Sequence, residues 1–291
     1  MAAPDLSAAL EMAALTDPGR VRANNEDAVL ANPRLGLAVL ADGMGGYNAG
    51  EVASGMTTAL LGSELEARFA ERAPHLPGAG GRSWAQEALK SVIARANAEI
   101  LAAASREARL SGMGTTVVAA QFFDDRLATA HVGDSRLYRW RGEALAQLTR
   151  DHSLLQEQID SGMISVQEAR YSQNRHIVTR ALGVEPEVDI ELSEFAVQPG
   201  DVYLLCSDGL TDMVEEADIA LTLSALSANL PLAAAQLIDL ANDNGGRDNV
   251  SVILVKVKAP FPARRATAGA WQRLKTMLRT LFAIRKGAQD G

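Results

Sequence analysis

Three aspartates close apolar runs in this chain, each beside a glycine, Asp42 in LAVLADGMGG, Asp134 in LATAHVGDS and Asp208 in VYLLCSDG, and a fourth, Asp248 in GGRDNVSVILV, opens an apolar run just after Gly245-Gly246. Glu26, Asp27 and Asp212 stand close to them in sequence. A single acidic glycine turn is a common structural feature, but four strand ends of one design suggest a shared purpose. Carboxylates gathered in one place repel, and keeping several ionised together is too costly unless a cation neutralises them. An all-oxygen donor set suits magnesium or manganese better than zinc or copper. Two such ions sharing a carboxylate can hold a bridging water, lower its pKa and offset the charge of a phosphoryl group under in-line attack. The implied chemistry is hydrolysis of a phosphate ester.

Rival routes to that chemistry lack their residues. A cysteine phosphatase needs an arginine six positions after its nucleophile, whereas Asp212 stands six after Cys206; Cys206 reads as a buried strand residue. A covalent aspartyl route uses two acids separated by one residue, but Asp208 is followed by Gly209 and Leu210. No P-loop pattern is present.

The elements that must position these acids can be read from periodicity. Leu35 to Leu40 is a short apolar run ending at Asp42, and Ala28 to Leu30 another that begins after Glu26 and Asp27; the Asn32-Pro33 turn between them predicts a hairpin. Antiparallel pairing would bring Glu26, Asp27 and Asp42 to one end. A helix is expected from Gly50 onward and a second over Ser83 to Ala104, forming an antiparallel helical pair over a sheet. Gly112 to Phe123, Leu127 to Gly133 and Arg136 to Arg141 read as an antiparallel meander, with His131 a packed core residue. Residues 149–183 are polar and break the strand pattern, as a flap would. Strands resume before Cys206, a last helix covers about Pro231 to Asn242, and Val250 to Val257 forms the final strand.

Composition bounds the remaining possibilities. The 291 residues are 47% hydrophobic and 22% charged, with a formal charge of −8, which disfavours a nucleic-acid binder. Residues 259–291 hold seven basic residues against one acid, leaving 21 basic and 35 acidic residues, or −14, in the body. A single cysteine excludes an internal disulfide, and there is no basic, apolar signal segment; a cytoplasmic protein is expected. His75, His131, His152 and His176 are far apart in sequence and offer no zinc pattern.

The segments RVRANNEDA, LADGMGG with GEVAS, GMGTTVV, HVGDSRLY, LTRDHS, RHIVTRALG, CSDGLTDMV and GGRDNVSVI resemble, in order, the motifs of bacterial PPM-type (type 2C) metal-dependent serine/threonine protein phosphatases. The resemblance covers residues 12–258, leaving residues 1–11 as an N-terminal arm and 259–291 as a tail. It implies an α+β fold: a four-layer α/β/β/α sandwich of two central antiparallel sheets flanked by paired helices. It further implies that Asp42 bridges two manganese or magnesium ions and that the Gly43 carbonyl ligates one. Asp208 and Asp248 complete the first site, while Glu26 or Asp27 reaches the second. Asp134 and Asp212 resemble the acids that hold a weaker third ion, Arg22 the arginine that binds substrate phosphate, and Asn249 a residue orienting Asp248. Met44 stands where animal members have a histidine that protonates the leaving group; bacterial members share this feature, and His152 and His176 on the flap are alternative donors.

The expected partners are proteins phosphorylated on serine or threonine and a cognate kinase, with the chain a monomer. A non-catalytic phosphoprotein-binding regulator of the same fold is the alternative. In the tail, Trp271, Leu274, Leu278, Leu281 and Phe282 recur at helical spacing among basic residues, a pattern suited to an anionic membrane or a partner, or to the acidic body itself.

Overall fold

A computed structural model of the chain describes residues 5–46, 49–165, 168, 172, 174 and 177–263. The basic tail from Arg264, the flap residue His176 and the Tyr47-Asn48 pair lie outside the described residues.

Period-two alternation of fully buried side chains dictates the layering, because successive strand residues face opposite sides. Along β3 (Leu37–Met44), Leu37 and Val39 join a core shared with two long helices, while Ala38 and Leu40 join a different core between two sheets. β5 (Val117–Phe123) divides likewise, with Val117 and Ala119 on the helix side and Val118, Ala120 and Phe122 on the sheet side. β10 (Val202–Cys206) and β11 (Val250–Val257) send Leu204, Cys206, Val252 and Leu254 to a third core and Tyr203, Leu205, Ile253 and Val255 to the middle one. Strands buried on both faces require a cover on both, and three cores make four layers.

One sheet has the order β1 (Leu10–Asp17), β11, β10, β7 (Arg136–Arg141), β8 (Ala144–Gln147). The other runs β2 (Asp27–Asn32), β3, β5, β6 (Arg126–Val132), β9 (Glu191–Ala196), with the short β4 (Gly114–Thr115) also on β3. Neighbouring strands pair antiparallel throughout. Helices α1 (Ala49–Glu71) and α2 (Trp84–Arg106) cover the second sheet, and α5 (Glu216–Leu226) and α6 (Leu230–Asp243) the first. Helix α2 starts on a capping box, Ser83 with Gln86. Two short helices, α3 (Leu154–Asp160) and α4 (Asp208–Thr211), serve the flap and the cleft. Each fully buried Leu, Ile, Val or Phe contributes about 1.5–3 kcal/mol, so the middle core alone fixes how the two sheets face each other. The expected α/β/β/α sandwich is present.

The hairpin is also as read: Asp27 stands opposite Asp42 and Asn32 opposite Leu37. The meander is not. β5 pairs with β6, but β7 leaves for the other sheet and pairs with β10 and β8. Gly133, at φ +108, lets the chain swing across, so Asp134 and Ser135 form a crossing between sheets. Of the arm expected over residues 1–11, Leu6, Ala9 and Leu10 are buried in the middle core, as is Phe261 of the expected tail.

Candidate active site

The crossing places Asp134 at the sandwich end where the hairpin acids and the ends of β10 and β11 also arrive. A cleft of about 590 Å³ opens there, and Arg22, Glu26, Asp42, Gly43, Met44, Thr116, Asp134, Asp208, Arg247, Asp248 and Asn249 are among its lining residues. Asp27 lies behind the wall, buried beside Asp42. Asp212, one turn beyond Asp208, does not line the cleft, though its charge acts on Asp134 and Asp208.

Close backbone packing holds these acids. A side chain on Gly43 would stand 2.5 Å from the Glu26 carbonyl and also run into Gly50 O, and one on Gly50 would stand 2.5 Å from Glu26 Oε2. The Glu26 carbonyl accepts from Gly43 N (3.1 Å) and Ser54 Oγ (2.6 Å), joining the hairpin to α1. The Asp42 carbonyl accepts from Thr116 N (2.9 Å) and Thr115 Oγ1 (2.8 Å). Ser207 Oγ donates to Asp27 Oδ2 at 2.9 Å, while Asp27 Oδ1 is buried with no hydrogen-bond partner.

Asn249 makes hydrogen bonds to three segments of the site. Its backbone N donates to Asp248 Oδ1 (2.9 Å), its Oδ1 accepts from Glu26 N (2.8 Å), and its Nδ2 donates to the carbonyls of Pro18 (3.1 Å) and Asn24 (2.8 Å). One buried amide thus ties the loop carrying Arg22 and Glu26 to the loop carrying Asp248. Arg22, 57% exposed, bonds Asp248 Oδ2 from Nη2 at 2.7 Å.

The electrostatics follow from crowding acids under partial burial. Burial, then Asp27 and Asp208, holds the Asp42 carboxyl well above the usual range; burial, then Asp134 and Asp212, does the same for Asp208. Burial first, opposed by the serine hydroxyls, takes Asp27 from 3.8 to about 6. Burial and then Asp151 take Asp134 to about 6. Burial also raises Glu26, with Arg22 opposing. Such a set fits divalent cations: its donors are hard oxygens, one is buried without a partner, and added positive charge would let the acids ionise together.

His131 is packed in the core, as expected, but it has a partner that its sequence position does not suggest. His131 and His152, distant in sequence, stack with ring centroids 4.7 Å apart, and with Glu191 they bring ligand atoms within 4.8 Å of one another. His131 Nε2 is already bonded to Arg150 O at 2.8 Å, and His152 Nδ1 accepts from Gly133 N at 3.1 Å. Parallel rings aim their in-plane lone pairs side by side, which suits a shared ion poorly. His152 is buried and does not line the cleft, so it is not the proton donor considered from sequence. Cys206 is buried, with its thiol pushed up by burial to about 12.

A two-sheet sandwich with acids and an arginine at one open end is the arrangement that the resemblance to PPM-type phosphatases leads one to expect. The comparisons agree: residues 20–238 match the family model described as protein phosphatase 2C, and the chain belongs to that family. It is 40% identical over 244 residues to the serine/threonine phosphatase stp of Listeria innocua, covering 83% of this chain and 93% of that protein. It is 42% identical over 250 residues to the serine/threonine protein phosphatase PstP of Mycobacterium tuberculosis, covering 85% of this chain and 45% of that protein. The crystal structure of the Mycobacterium tuberculosis phosphatase PstP/Ppp superposes with a TM-score of 0.77 at 39% identity, over 86% of this chain and all of that one. A structure of the PstP catalytic domain in complex with two manganese ions matches with a TM-score of 0.74 at 39% identity, over 86% and 99% of the respective chains. Among the described residues, no helix is long and apolar enough to cross a membrane.

Proposed function

We propose that this chain is a protein phosphatase that hydrolyses phosphoserine and phosphothreonine with two divalent cations, manganese or magnesium, and opposes a serine/threonine kinase of the same cell. The observation that carries this reading is the crowding of Asp42, Asp134 and Asp208 in one cleft, with carboxyls that resist joint ionisation unless positive charge is added. The serine/threonine phosphatase activity named for the relatives supports the substrate class.

Asp42, the Gly43 carbonyl, Asp208 and Asp248 would hold one cation, and Asp42 with Glu26 or Asp27 the other; Asp134 and Asp212 would serve a weaker third. When bound, the ions would supply a hydroxide from water and offset charge on the phosphoryl group. Arg22 is the substrate's anchor: its exposed guanidinium, now on Asp248, presents a planar fork that suits phosphate oxygens. Met44 has no proton to give, and no histidine lines the cleft among the described residues.

The test is hydrolysis of a phosphothreonine peptide and an aryl phosphate with manganese, magnesium or chelator. Metal-dependent turnover that Asp208→Ala abolishes, with Arg22→Ala acting mainly on KM, is the expected result. Folded wild-type protein with no metal-dependent turnover would sink the reading.

A further inference from the structure

His152 is 6% exposed, yet the cleft does not use its ring. Its bonds lie elsewhere. Its backbone N donates to Gly133 O at 3.0 Å, and Gly133 N donates back to His152 Nδ1 at 3.1 Å, so the two residues are joined twice. Gly133 is the residue on which the chain turns between sheets, and a side chain there would stand 2.5 Å from Thr116 Cβ. The next residue is Asp134. After it, Ser135 Oγ shares a hydrogen bond with Thr116 Oγ1 at 2.7 Å, and Thr116 N holds the Asp42 carbonyl. The turn that His152 grips is therefore part of the acid cleft.

On its other side, His152 O accepts from Thr179 N at 2.8 Å, Leu154 N donates to Ile177 O at 2.9 Å, and Ser153 bridges Val178. Val178 lines the cleft. The same returning segment continues to Leu182, which exchanges two backbone hydrogen bonds with Thr115 (3.1 and 2.9 Å). His131, stacked on the His152 ring and bonded to Arg150 O, fixes the ring plane from below. Because Nδ1 accepts an amide proton, the neutral ring carries its own proton on Nε2, the atom that faces Glu191 Oε2 at 3.5 Å.

We infer that His152 is a positioning residue: through Nδ1 and its own peptide groups it locks the Gly133–Asp134 turn to the 177–179 wall of the cleft. The acid that helps hold a cation and the wall that meets the substrate then move as one unit. The link to metal affinity rests on the proposed phosphatase reading, but the mechanical coupling does not.

Two substitutions separate the ring atoms. His152→Asn keeps an acceptor near the Nδ1 position, and His152→Gln moves it toward Nε2. Hydrogen–deuterium exchange on chelated protein is expected to show amides of 133–135 and 177–179 exchanging about tenfold faster in the Gln variant and within about twofold of wild type in the Asn variant. Manganese binding followed by calorimetry is expected to weaken roughly tenfold in Gln only, within the range for partners that orient metal ligands. A general packing role would instead lower Tm in both variants without confining the faster exchange to these two segments. Unchanged exchange in a folded Gln variant would overturn the inference. If that variant does not fold, Asn decides: tenfold faster exchange in it rules out Nδ1 as the lock, and wild-type exchange supports it. Coupled exchange alongside a wild type that neither binds manganese nor turns over would overturn the phosphatase reading and leave the positioning role standing.

Discussion

Asp27→Asn in the presence of chelator should stabilise the protein at pH 8, by an amount that shrinks as the pH falls. Asp27 is buried, and its carboxyl is raised from 3.8 to about 6, chiefly by that burial. That difference corresponds to about 3 kcal/mol between the charged and neutral forms. A carboxyl whose folded-state pKa lies above its unfolded value disfavours folding once ionised. The penalty is complete above about pH 6 and is relieved as the pH drops from there toward 3.8. The advantage of Asn over Asp should therefore be about 3 kcal/mol at pH 8 and roughly half that at pH 5, by the same linkage. At 2–4 °C per kcal/mol for a domain of this size, the gap in Tm narrows by about 3–6 °C over that interval. Comparing the variants cancels the opposing loss from His152, whose pKa is lowered by burial and by His131, while removal of the Asp27 charge also eases ionisation of Asp42 and adds to the gap in the same direction. Any fixed change in hydrogen bonding shifts the gap equally at every pH. Urea unfolding in chelator at pH 8, 7, 6 and 5 measures it, and a gap that is constant or widens toward pH 5 would refute the reasoning.

Three further perturbations probe how the cleft is held. Gly43→Ala forces a methyl group against Gly50 O and to 2.5 Å from Glu26 O, both backbone atoms; overpacking of about 1–3 kcal/mol or more is expected, read as a fall in the urea midpoint together with loss of turnover. Asn249→Ala leaves Glu26 N and the carbonyls of Pro18 and Asn24 without their partner. With Pro18 and Asn24 at the surface and Glu26 half-buried, the loss is expected at the lower end of about 1–3 kcal/mol, and backbone exchange should quicken in residues 18–26 as well as 246–249; protection unchanged in the first loop would refute the knot. Arg22→Lys keeps the charge but not the fork, so the KM for a phosphothreonine peptide should rise about tenfold or more with kcat little changed; equal kinetics would remove Arg22 from phosphate recognition.

What could be read from the sequence was whatever is written in local pattern. The acids stood out because an apolar strand run breaks off at Asp42 and at Cys206 before Asp208, and the β2–β3 hairpin because Asn32-Pro33 punctuates two apolar runs. β1 escaped notice since its half-exposed residues, Leu10 to Asp17, lack a continuous apolar stretch. Helix α5 opens on Glu215, Glu216 and Asp218, which masks its apolar residues as a charged loop. The destination of β7 depends on Gly133 turning the chain toward β10, which begins only at Val202, and no short-range signal carries that. Stacking of His131 on His152 is hidden for the same reason: the chain between β6 and residue 149 says nothing of ring planes.

The residues missed or underread share a property that explains the design of the cleft. Ser207, Thr115, Thr116, Ser54 and Asn249 hold the acid-bearing loops, and all are neutral. Buried cations in their place would stabilise the ionised acids, but they would also satisfy the charge that the acids are gathered to offer. Among the described residues, the ion pair found with a lining acid, Arg22–Asp248, is at the exposed rim, where solvent weakens it and exchange of partners is cheap. Neutral donors reach mostly the backbone of these loops, as at the carbonyls of Glu26 and Asp42. Apart from single bonds to Asp27 Oδ2 and Asp248 Oδ1, they fix position without neutralising the carboxylates' negative charge. A cleft built this way is strained in isolation and stabilised by whatever cation it binds, so the sign of its pH dependence should reverse between chelator and saturating manganese.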